Sequence, residues 1–315
     1  GATLRKPKAL SNTSIKLWKK DREEFYLRYL SENRPNKPAQ VPAMAIGSAF
    51  DAYVKSWLYK AIFGKLDPQF EIDTIFEDQV DEQNRDWAKK HGQYVFDCYM
   101  KSGALTDLLL LMSEASTEPR FEFTIKETID GVPLLGKPDC QFTTKGGISF
   151  LLDWKVRGYC SKYSQSPSKH YQMCRDTYDV GKPSRSHEKS HPGYIPLKFG
   201  DVEIHDGYLE NSNSDYADQL SIYSWLLGET DRYVAAIDEL LCKPSEPNPL
   251  IRVAQLRAMI SEPYQAELRK TLVECWSAIE SGHIFDDLTA EENELRCRSL
   301  DRQAQFMNLE QMGVK

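Results

Sequence analysis

The feature that most constrains the fold is an apolar run, Ile148 to Leu152, which ends in the triplet Asp153-Trp154-Lys155. The run is apolar on both faces of an extended chain, which is typical of a central strand covered on both sides. Such a strand needs helices above and below it, so the sequence predicts a mixed α/β fold with a central sheet flanked by helices. Because side chains alternate along a strand, Asp153 and Lys155 share one face and Trp154 lies on the other.

Periodicity and turn signals divide the 315 residues into three parts of one predicted domain. Residues 1–115 are expected to be mainly helical, with helices over Ser11–Leu30, Ala45–Phe63 and 78–113. Residues 116–243 form the predicted core, with strands over Arg120–Glu127, Pro133–Phe142, Ile148–Val156 and Tyr233–Cys242 and a helix over Tyr216–Leu227. A hairpin turn is expected at Asp130-Gly131. The core contains an insert, 157–213, that is poor in regular pattern, and residues 244–315 are expected to form a helical extension that includes a helix over Glu262–Ser281.

The composition excludes several classes of protein. No stretch approaches the ~20 apolar residues that a membrane span needs. The seven cysteines are odd in number and widely spaced, which argues against a disulfide framework. A charged-then-apolar leader is also lacking. These observations predict a protein of a reducing, cytoplasmic compartment.

Charge is unevenly distributed along the chain. The net charge is −7, yet residues 1–40 carry a balance of +6 and residues 156–200 a balance of +5, which leaves −18 for the remainder. Two basic segments in an acidic chain predict surfaces that face a polyanion such as DNA, and lysines that only aid solubility are the alternative. Within the insert, Lys162, Lys169 and Arg175 are the side chains expected to grip a DNA backbone.

A second aspartate accompanies the triplet. Asp139 follows Gly136-Lys137-Pro138, and we expect it on the strand that pairs with the Asp153 strand through the Lys145-Gly146-Gly147 turn. Two carboxylates brought that close repel each other unless a cation lies between them, and oxygen ligands suit Mg²⁺ or Mn²⁺. Lys155 on the same face could orient an attacking water or stabilise developing charge. An ordinary ion pair between Asp153 and Lys155 is the alternative.

A polar pair follows on a predicted helix. Gln219 and Tyr223 are four residues apart, so they share a helix face, where an amide and a phenol can bind phosphate or a base edge. The alternative is a half-buried helix face without a ligand.

The ordered set Gly136-x-x-Asp139, Asp153-x-Lys155 and Gln219-x-x-x-Tyr223 resembles the PD-(D/E)xK nucleases, and within them the RecB-type branch that includes phage exonucleases. The segments Leu10-Ser11-Asn12-Thr13-Ser14 and Gly47-Ser48-Ala49-Phe50-Asp51 are similar to that branch as well. The resemblance runs in order over about residues 10–240. It implies a restriction-endonuclease-like core and Mg²⁺- or Mn²⁺-dependent hydrolysis of DNA to 5′-phosphate ends. It also implies replication or recombination proteins as partners in a bacterial or phage-infected cell.

The resemblance assigns roles to individual residues. It makes Asp139, Asp153 and Lys155 the central catalytic set, helped by Gln219 and Tyr223, and implies the Trp154 backbone carbonyl as a further metal ligand. Asp51 stands where the branch often carries histidine, and both Asp51 and Glu122 are candidate outer ligands. Some relatives hold an iron–sulfur cluster with four cysteines near the C-terminus, whereas only Cys275 and Cys297 occur there in this chain, which predicts no cluster.

Two other functions stay open on the sequence. One is a DNA-binding or recombination accessory module that keeps the fold with weak chemistry. The other is a zinc-dependent binding protein built on the insert, in which His187-x-x-x-His191 has a spacing found in zinc sites.

Overall fold

The computed structural model describes residues 4–33, 40, 42–65, 67–157, 171–174, 180–183, 197–204, 207–229, 232–243 and 250–311. Within these ranges the chain is a mixed α/β protein, in which helices pack against both faces of a mixed central sheet. The predicted fold class is confirmed at this level. The insert residues Lys162, Lys169, Arg175, His187 and His191 lie outside the described ranges.

Eleven strands occur in the described residues. They are β1 (Arg120–Phe121), β2 (Ile125–Ile129), β3 (Val132–Gly136), β4 (Cys140–Thr143), β5 (Ser149–Arg157), β6 (Tyr171–Cys174), β7 (Val180–Pro183), β8 (Leu197–Phe199), β9 (Val202–Ile204), β10 (Tyr233–Lys243) and β11 (Leu250–Ala258). The central sheet has the order β1-β4-β5-β10-β11, and the short strands β6 and β7 extend it beyond β11. Separate two-stranded sheets are formed by β2 with β3 and by β8 with β9.

The predicted central strand is β5. It pairs antiparallel with β4, where Cys140 lies opposite Leu152, and parallel with β10, where Ile237 lies opposite Asp153. All other neighbours in the central sheet are antiparallel. Because β5 has partners on both edges and helices on both faces, its apolar run Phe150–Leu152 is buried, as the sequence predicts.

The described α-helices are α1 (Asn12–Lys20), α2 (Arg22–Phe25), α3 (Pro42–Phe63), α4 (Ile72–Gln79), α5 (Arg85–Lys101), α6 (Ala104–Ser113), α7 (Leu209–Ser212), α8 (Ser214–Leu226), α9 (Glu262–Ser281) and α10 (Ala290–Gln311). A π-helical turn, Tyr26–Leu30, continues α2. None of the described helices combines the length and the apolarity required to cross a bilayer.

Two apolar cores lie on opposite faces of the sheet. Helices α3, α5 and α6 cover the face that carries Leu152 and Trp154, whereas α1, α8 and α9 cover the face that carries Leu151. Helices α3 and α5 approach so closely that a Cβ on Gly92 would lie 2.6 Å from the Cβ of Ala49, so only glycine fits at this crossing.

The predicted N-terminal helices exist, but two of them are interrupted. The helix expected over Ser11–Leu30 breaks at Asp21, whose extended backbone ends α1 and whose side chain accepts a 3.0 Å hydrogen bond that caps α2. The helix expected over 78–113 is divided into the end of α4, then α5 and α6, with Gly103 left-handed between the last two. Capping and glycine conformations therefore set boundaries that apolar periodicity does not show.

Two of the predicted strands are likewise divided, each into two shorter strands. The strand expected over Arg120–Glu127 breaks at Glu122, which has a left-handed φ of 45°, and the strand expected over Pro133–Phe142 breaks between Gly136 and Cys140. The cause is the same, because the chain leaves the central sheet after β1 to form the β2–β3 hairpin and returns at β4. The predicted hairpin turn at Asp130-Gly131 is confirmed, and both residues have positive φ.

The insert and the C-terminal part contain more β-structure than predicted. Strands β6 to β9 and helix α7 lie in the insert 157–213, and β11 lies in the segment 244–315 that was expected to be helical. Prolines occur at positions 244, 247 and 249, just after the predicted strand Tyr233–Cys242, yet β11 follows them and pairs with β10 along its whole length. Strands β6 to β9 are only three or four residues long and depend on their partners for their pattern, which explains why the sequence did not show them.

Candidate functional site

A cleft of about 380 Å³ lies between α3 and α8, where the chain passes from β3 to β4. Five of the predicted site residues line it together, although they come from separate parts of the chain. They are Asp139, Asp153, Lys155, Gln219 and Tyr223. Asp51 also lines this cleft from α3, whereas Glu122 contacts the group through its ion pairs.

Asp139 lies just before β4 rather than on a strand, which corrects the predicted placement. Its Oδ2 accepts a 3.1 Å hydrogen bond from the backbone N–H of Trp154, and its carbonyl accepts one of 3.1 Å from the N–H of Glu122. Burial opposes the charge of Asp139, but Lys55 and, to a smaller extent, the hydrogen bond with Asp153, Lys155 and the Trp154 N–H outweigh it and hold the pKa of Asp139 below its usual range. Asp139 is therefore an anion fixed at the break between two strands.

Asp153 is a buried carboxyl on β5, with only 3% of its surface exposed. Burial and the negative charge of Asp139 beside it raise the pKa of Asp153 to about 8. A bound cation would offset both the burial of Asp153 and its repulsion by Asp139, and would therefore stabilise the ionised form of this carboxyl. The close approach of Asp139 and Asp153 that the sequence predicts is therefore present.

Lys155 lies two residues further along β5, on the same face as Asp153. Its Nζ is 2.6 Å from Oδ2 of Asp153, and 28% of its side chain is exposed towards the cleft. Burial opposes the charged form, but Asp153 and Asp139 outweigh it and raise the pKa of Lys155 above its usual value. Lys155 is thus a fixed ammonium ion at the cleft wall, a form suited to stabilising negative charge rather than to accepting a proton.

Lys55 is a site residue that sequence reasoning missed. It lies on α3 with no exposed surface, and its Nζ contacts carboxylate oxygens of Asp51 and Glu122 and, at 3.1 Å, Oδ1 of Asp139. Burial alone would lower the pKa of Lys55, but the three carboxylates raise it well above its usual value. The sequence signal was the i, i+4 spacing of Asp51 and Lys55 on an otherwise apolar helix face.

The same carboxylates could hold a metal ion. One oxygen from each of Asp51, Glu122 and Asp139 lies within 4.8 Å of the others. Together with Asp153 they form an all-oxygen donor set, which suits hard cations such as Mg²⁺ and Mn²⁺. The predicted outer ligands Asp51 and Glu122 are therefore brought to Asp139, while the predicted role of the Trp154 carbonyl stays a prediction.

Helix α8 supplies the predicted polar pair. The Nε2 of Gln219 donates a 2.9 Å hydrogen bond to the hydroxyl of Tyr223, and both side chains are at least nine-tenths buried at the cleft. A Cβ on Gly136 would lie 2.6 Å from Leu226 and 2.8 Å from Tyr223, so the motif glycine lets α8 approach β3. The Tyr223 hydroxyl accepts from Gln219 and can donate its own hydrogen to an anion.

A buried polar network supports β5 from the opposite face. The indole Nε1 of Trp154 donates to the hydroxyl of Tyr99 at 3.0 Å, and that hydroxyl donates to Asp238 on β10. Asp238 in turn pairs with Arg257 on β11 at 2.7 Å. Every polar group of the Trp154 side chain and of Tyr99 is thus satisfied, which fixes the strand that carries Asp153.

An exposed lysine lines the cleft, and an exposed arginine ends the strand β5 that carries Asp153. Lys137 is 56% exposed, and Arg157 is 41% exposed while its Nε lies 2.9 Å from Glu239. In contrast, two lysines of α1 are engaged with α8, since Lys16 pairs with Asp215 at 3.2 Å and Lys19 with Asp218 at 2.7 Å. Part of the excess positive charge of residues 1–40 is therefore used in ion pairs between α1 and α8. Sequence reasoning assigned no role to Lys137 or to Gln79, which also lines the cleft.

No family model matches the chain, and no curated protein matches it significantly. Among solved structures, the chain is similar to one described as the crystal structure of SSO0001. The identity is 13%, and the match covers 87% of this chain and 97% of that chain with a TM-score of 0.24. A similarity this low carries no argument about the fold or the function.

Proposed function

We propose that this chain is a Mg²⁺- or Mn²⁺-dependent nuclease that hydrolyses DNA phosphodiester bonds in the cleft between α3 and α8. The observation that carries the proposal is the buried carboxyl of Asp153 beside Asp139, with the Lys155 ammonium 2.6 Å from it. A restriction-endonuclease-like core, the arrangement to which the ordered motifs point, belongs to the same proposal.

The residues divide the chemistry between them. Asp139 and Asp153 would hold the metal ion, which when bound lowers the pKa of a water and neutralises phosphate charge. Lys155 keeps its proton and stabilises the negative charge that develops on phosphorus-bound oxygens as the water attacks. Hydrolysis breaks the bond between phosphorus and the 3′ oxygen as the water oxygen bonds to phosphorus. The water gives up a proton to solvent and the departing 3′ oxygen takes one up, which leaves a 5′-phosphate and a 3′-hydroxyl.

The substrate class follows from charge and donors at the cleft. The exposed Lys137 at the cleft and Arg157 at the end of β5 suit a polyanionic backbone, while the Tyr223 hydroxyl can donate to a phosphate oxygen. The acidic cluster itself repels an anion, so a phosphodiester can approach it only with a cation bound. This requirement supports metal-dependent action on nucleic acid rather than simple anion binding.

The test is incubation of the purified chain with end-labelled linear and circular DNA, with Mg²⁺ or Mn²⁺ and in parallel with a chelator. We expect metal-dependent loss of the linear substrate. Mononucleotide products and intact circles identify an exonuclease, whereas nicked circles identify an endonuclease. The matched control is Glu114→Gln, which alters an exposed carboxylate that pairs with Lys145 at 3.3 Å and should leave cleavage unchanged.

DNA that is bound but never cut in any of these conditions would contradict the nuclease proposal. That outcome would instead support an accessory DNA-binding module of the same fold. The observation that favours this second candidate is Lys55, because its ammonium ion already contacts three of the carboxylates that could hold a metal ion.

A further inference from the structure

Lys55 is built into the carboxylate cluster as a cation. An ammonium group has three N–H donors, and Nζ of Lys55 contacts three different carboxylates, those of Asp51, Glu122 and Asp139. Its donors are therefore fully used, and the side chain has no exposed surface. A charge buried to this extent persists in a fold only when it is paired, which ties Lys55 and the three carboxylates into one unit.

The charges of the whole site indicate how many metal ions fit. Four carboxylates meet here, from Asp51, Glu122, Asp139 and Asp153, and two ammonium ions, from Lys55 and Lys155, pair with them. When all four carboxyls are ionised, as metal ligands are, four negative and two positive charges leave −2, which a single divalent cation neutralises. A second divalent cation would need the space between Asp51, Glu122 and Asp139 that the Lys55 ammonium occupies, so it could bind only if Lys55 were displaced.

We propose that Lys55 is a permanent internal cation that stands where a second metal ion would bind, so that the protein binds one divalent ion, at Asp139 and Asp153. This inference rests on the proposed metal-dependent function and deepens it. Two-metal phosphodiesterases hold their ions roughly 3.5–4 Å apart in a shared carboxylate group. The oxygens of Asp51, Glu122 and Asp139 are spaced for such an ion, and the Lys55 ammonium occupies their common centre.

The carboxylates of the cluster therefore have different roles. Asp51 and Glu122 neutralise Lys55, the Lys55–Glu122 pair joins α3 to the β1–β4 edge of the sheet, and Asp139 is shared between Lys55 and the metal ion. Lys55 is then a positioning residue, since it orients Asp139 without touching the scissile phosphate. The Asp51 position, where the resembling nucleases often carry histidine, serves the lysine and not the metal.

The experiment counts bound ions with Mn²⁺ as the probe. Chelator-stripped full-length protein is titrated with Mn²⁺ by calorimetry, and free Mn²⁺ is followed by electron paramagnetic resonance. We expect one ion per chain for the wild type and two for Lys55→Met, which removes the ammonium but keeps the length of the side chain. Lys55→Arg keeps the positive charge and should retain one.

The matched control is Lys137→Met, an exposed lysine whose Nζ lies 3.9 Å from the same Glu122, and it should also bind one ion. Two ions in the wild type, or one in a folded Lys55→Met variant, would overturn the inference. If Lys55→Met does not fold, Lys55→Gln, which also removes the charge, takes its place in the count, and one ion in that folded variant would overturn the inference.

The outcomes separate this inference from the proposed function. Two ions bound by a wild-type protein that cuts DNA would refute the role of Lys55 and leave the nuclease proposal standing. One ion bound by the wild type and two by Lys55→Met, in a protein that does not cut DNA, would uphold the role of Lys55 and refute the nuclease. A wild-type protein that binds no Mn²⁺ would refute both.

Discussion

The backbone N–H of Trp154 donates a 3.1 Å hydrogen bond to Oδ2 of Asp139, and this bond joins the centre of β5 to the break before β4. Because Trp154 directly follows Asp153, the bond sets the two carboxyl groups side by side. On the other side of the sheet, the indole N–H of Trp154 donates a hydrogen bond to the hydroxyl of Tyr99. One residue therefore fixes both halves of the proposed metal site.

The first prediction concerns metal affinity. Asp153→Asn removes the buried charge that the ion would neutralise while keeping the shape of the side chain. The affinity for Mn²⁺ should fall by at least about a hundredfold, because loss of groups that only support a ligand already costs ~10–100-fold. Calorimetric titration measures this. The exposed-carboxylate variant Glu114→Gln is the control, and an Asp153→Asn affinity equal to the wild type would exclude Asp153 as a ligand.

The second prediction separates Lys155 from the metal ligands. Lys155→Met should reduce the single-turnover rate of DNA cleavage by roughly 10²–10³-fold, the scale for losing one preorganised group that stabilises developing charge. Its Mn²⁺ affinity should fall far less than that of Asp153→Asn, since lysine is not a ligand. Lys137→Met, at the cleft, should keep nearly the full rate at saturating DNA. A Lys155→Met variant with normal turnover would show that the Lys155–Asp153 contact is only an ion pair.

The third prediction concerns the network behind β5. Tyr99→Phe deletes the hydroxyl that links Trp154 to Asp238 and leaves both buried groups without that partner. The free energy of unfolding should fall by about 1–3 kcal/mol, the cost of leaving a buried polar group unsatisfied. Urea denaturation measures the change.

The exposed tyrosine Tyr208, with 50% of its surface accessible, provides the control for that measurement. Tyr208→Phe should change the free energy of unfolding by no more than about 0.5 kcal/mol. Equal stability of Tyr99→Phe and the wild type would mean that the network does not stabilise the strand.

The fourth prediction concerns pH and the turn between β4 and β5. Asp201 accepts a 2.6 Å hydrogen bond from the Thr144 hydroxyl and one of 3.0 Å from the N–H of Gly146. Burial opposes the charge slightly, but these hydrogen bonds outweigh it and lower the pKa of Asp201. Because the folded pKa lies below the unfolded one, the carboxylate stabilises the fold above the unfolded value of about 3.9.

Asp201→Asn should therefore be less stable than the wild type at pH 6–8. The difference should shrink as the pH falls below about 4 and through the lowered pKa of the folded state, where both side chains are neutral. Denaturation curves across this range measure it. A difference that stays constant down to the acid limit would show that Asp201 acts through packing and not through its charge.

Sequence patterns predicted the elements whose signals are local. The apolar runs of β5 and β10 and the periodicity of α9 need no distant partner to be recognised, and α9 has the predicted bounds Glu262–Ser281. Asp139, Asp153, Lys155, Gln219 and Tyr223 meet as the spacing of their motifs indicates. Strand alternation puts Asp153 and Lys155 on one face and helix periodicity does the same for Gln219 and Tyr223, whereas the approach of the two pairs to each other and to Asp139 depends on tertiary packing.

The remainder depends on contacts between distant residues. Lys55 and Asp139 are 84 positions apart, and nothing near either residue indicates that they touch. The breaks at Glu122 and before Cys140 arise because the chain changes sheets, an event that leaves no mark in apolar periodicity. Strand β11 carries Arg252 and Arg257 at buried positions. Arginines in a sequence indicate exposed positions, and only the ion pair between Arg257 and Asp238 on β10 explains how an arginine is buried there.

The most direct test of the central claim is the rate at which one linear DNA duplex is cleaved as Mn²⁺ is titrated, for the wild type and for Asp139→Asn side by side. The account predicts no cleavage in chelator, a saturable rise with Mn²⁺ for the wild type, and no comparable rise for Asp139→Asn. Cleavage that persists in chelator, or an Asp139→Asn curve that overlays the wild type, would contradict a metal-dependent nuclease site at Asp139, Asp153 and Lys155.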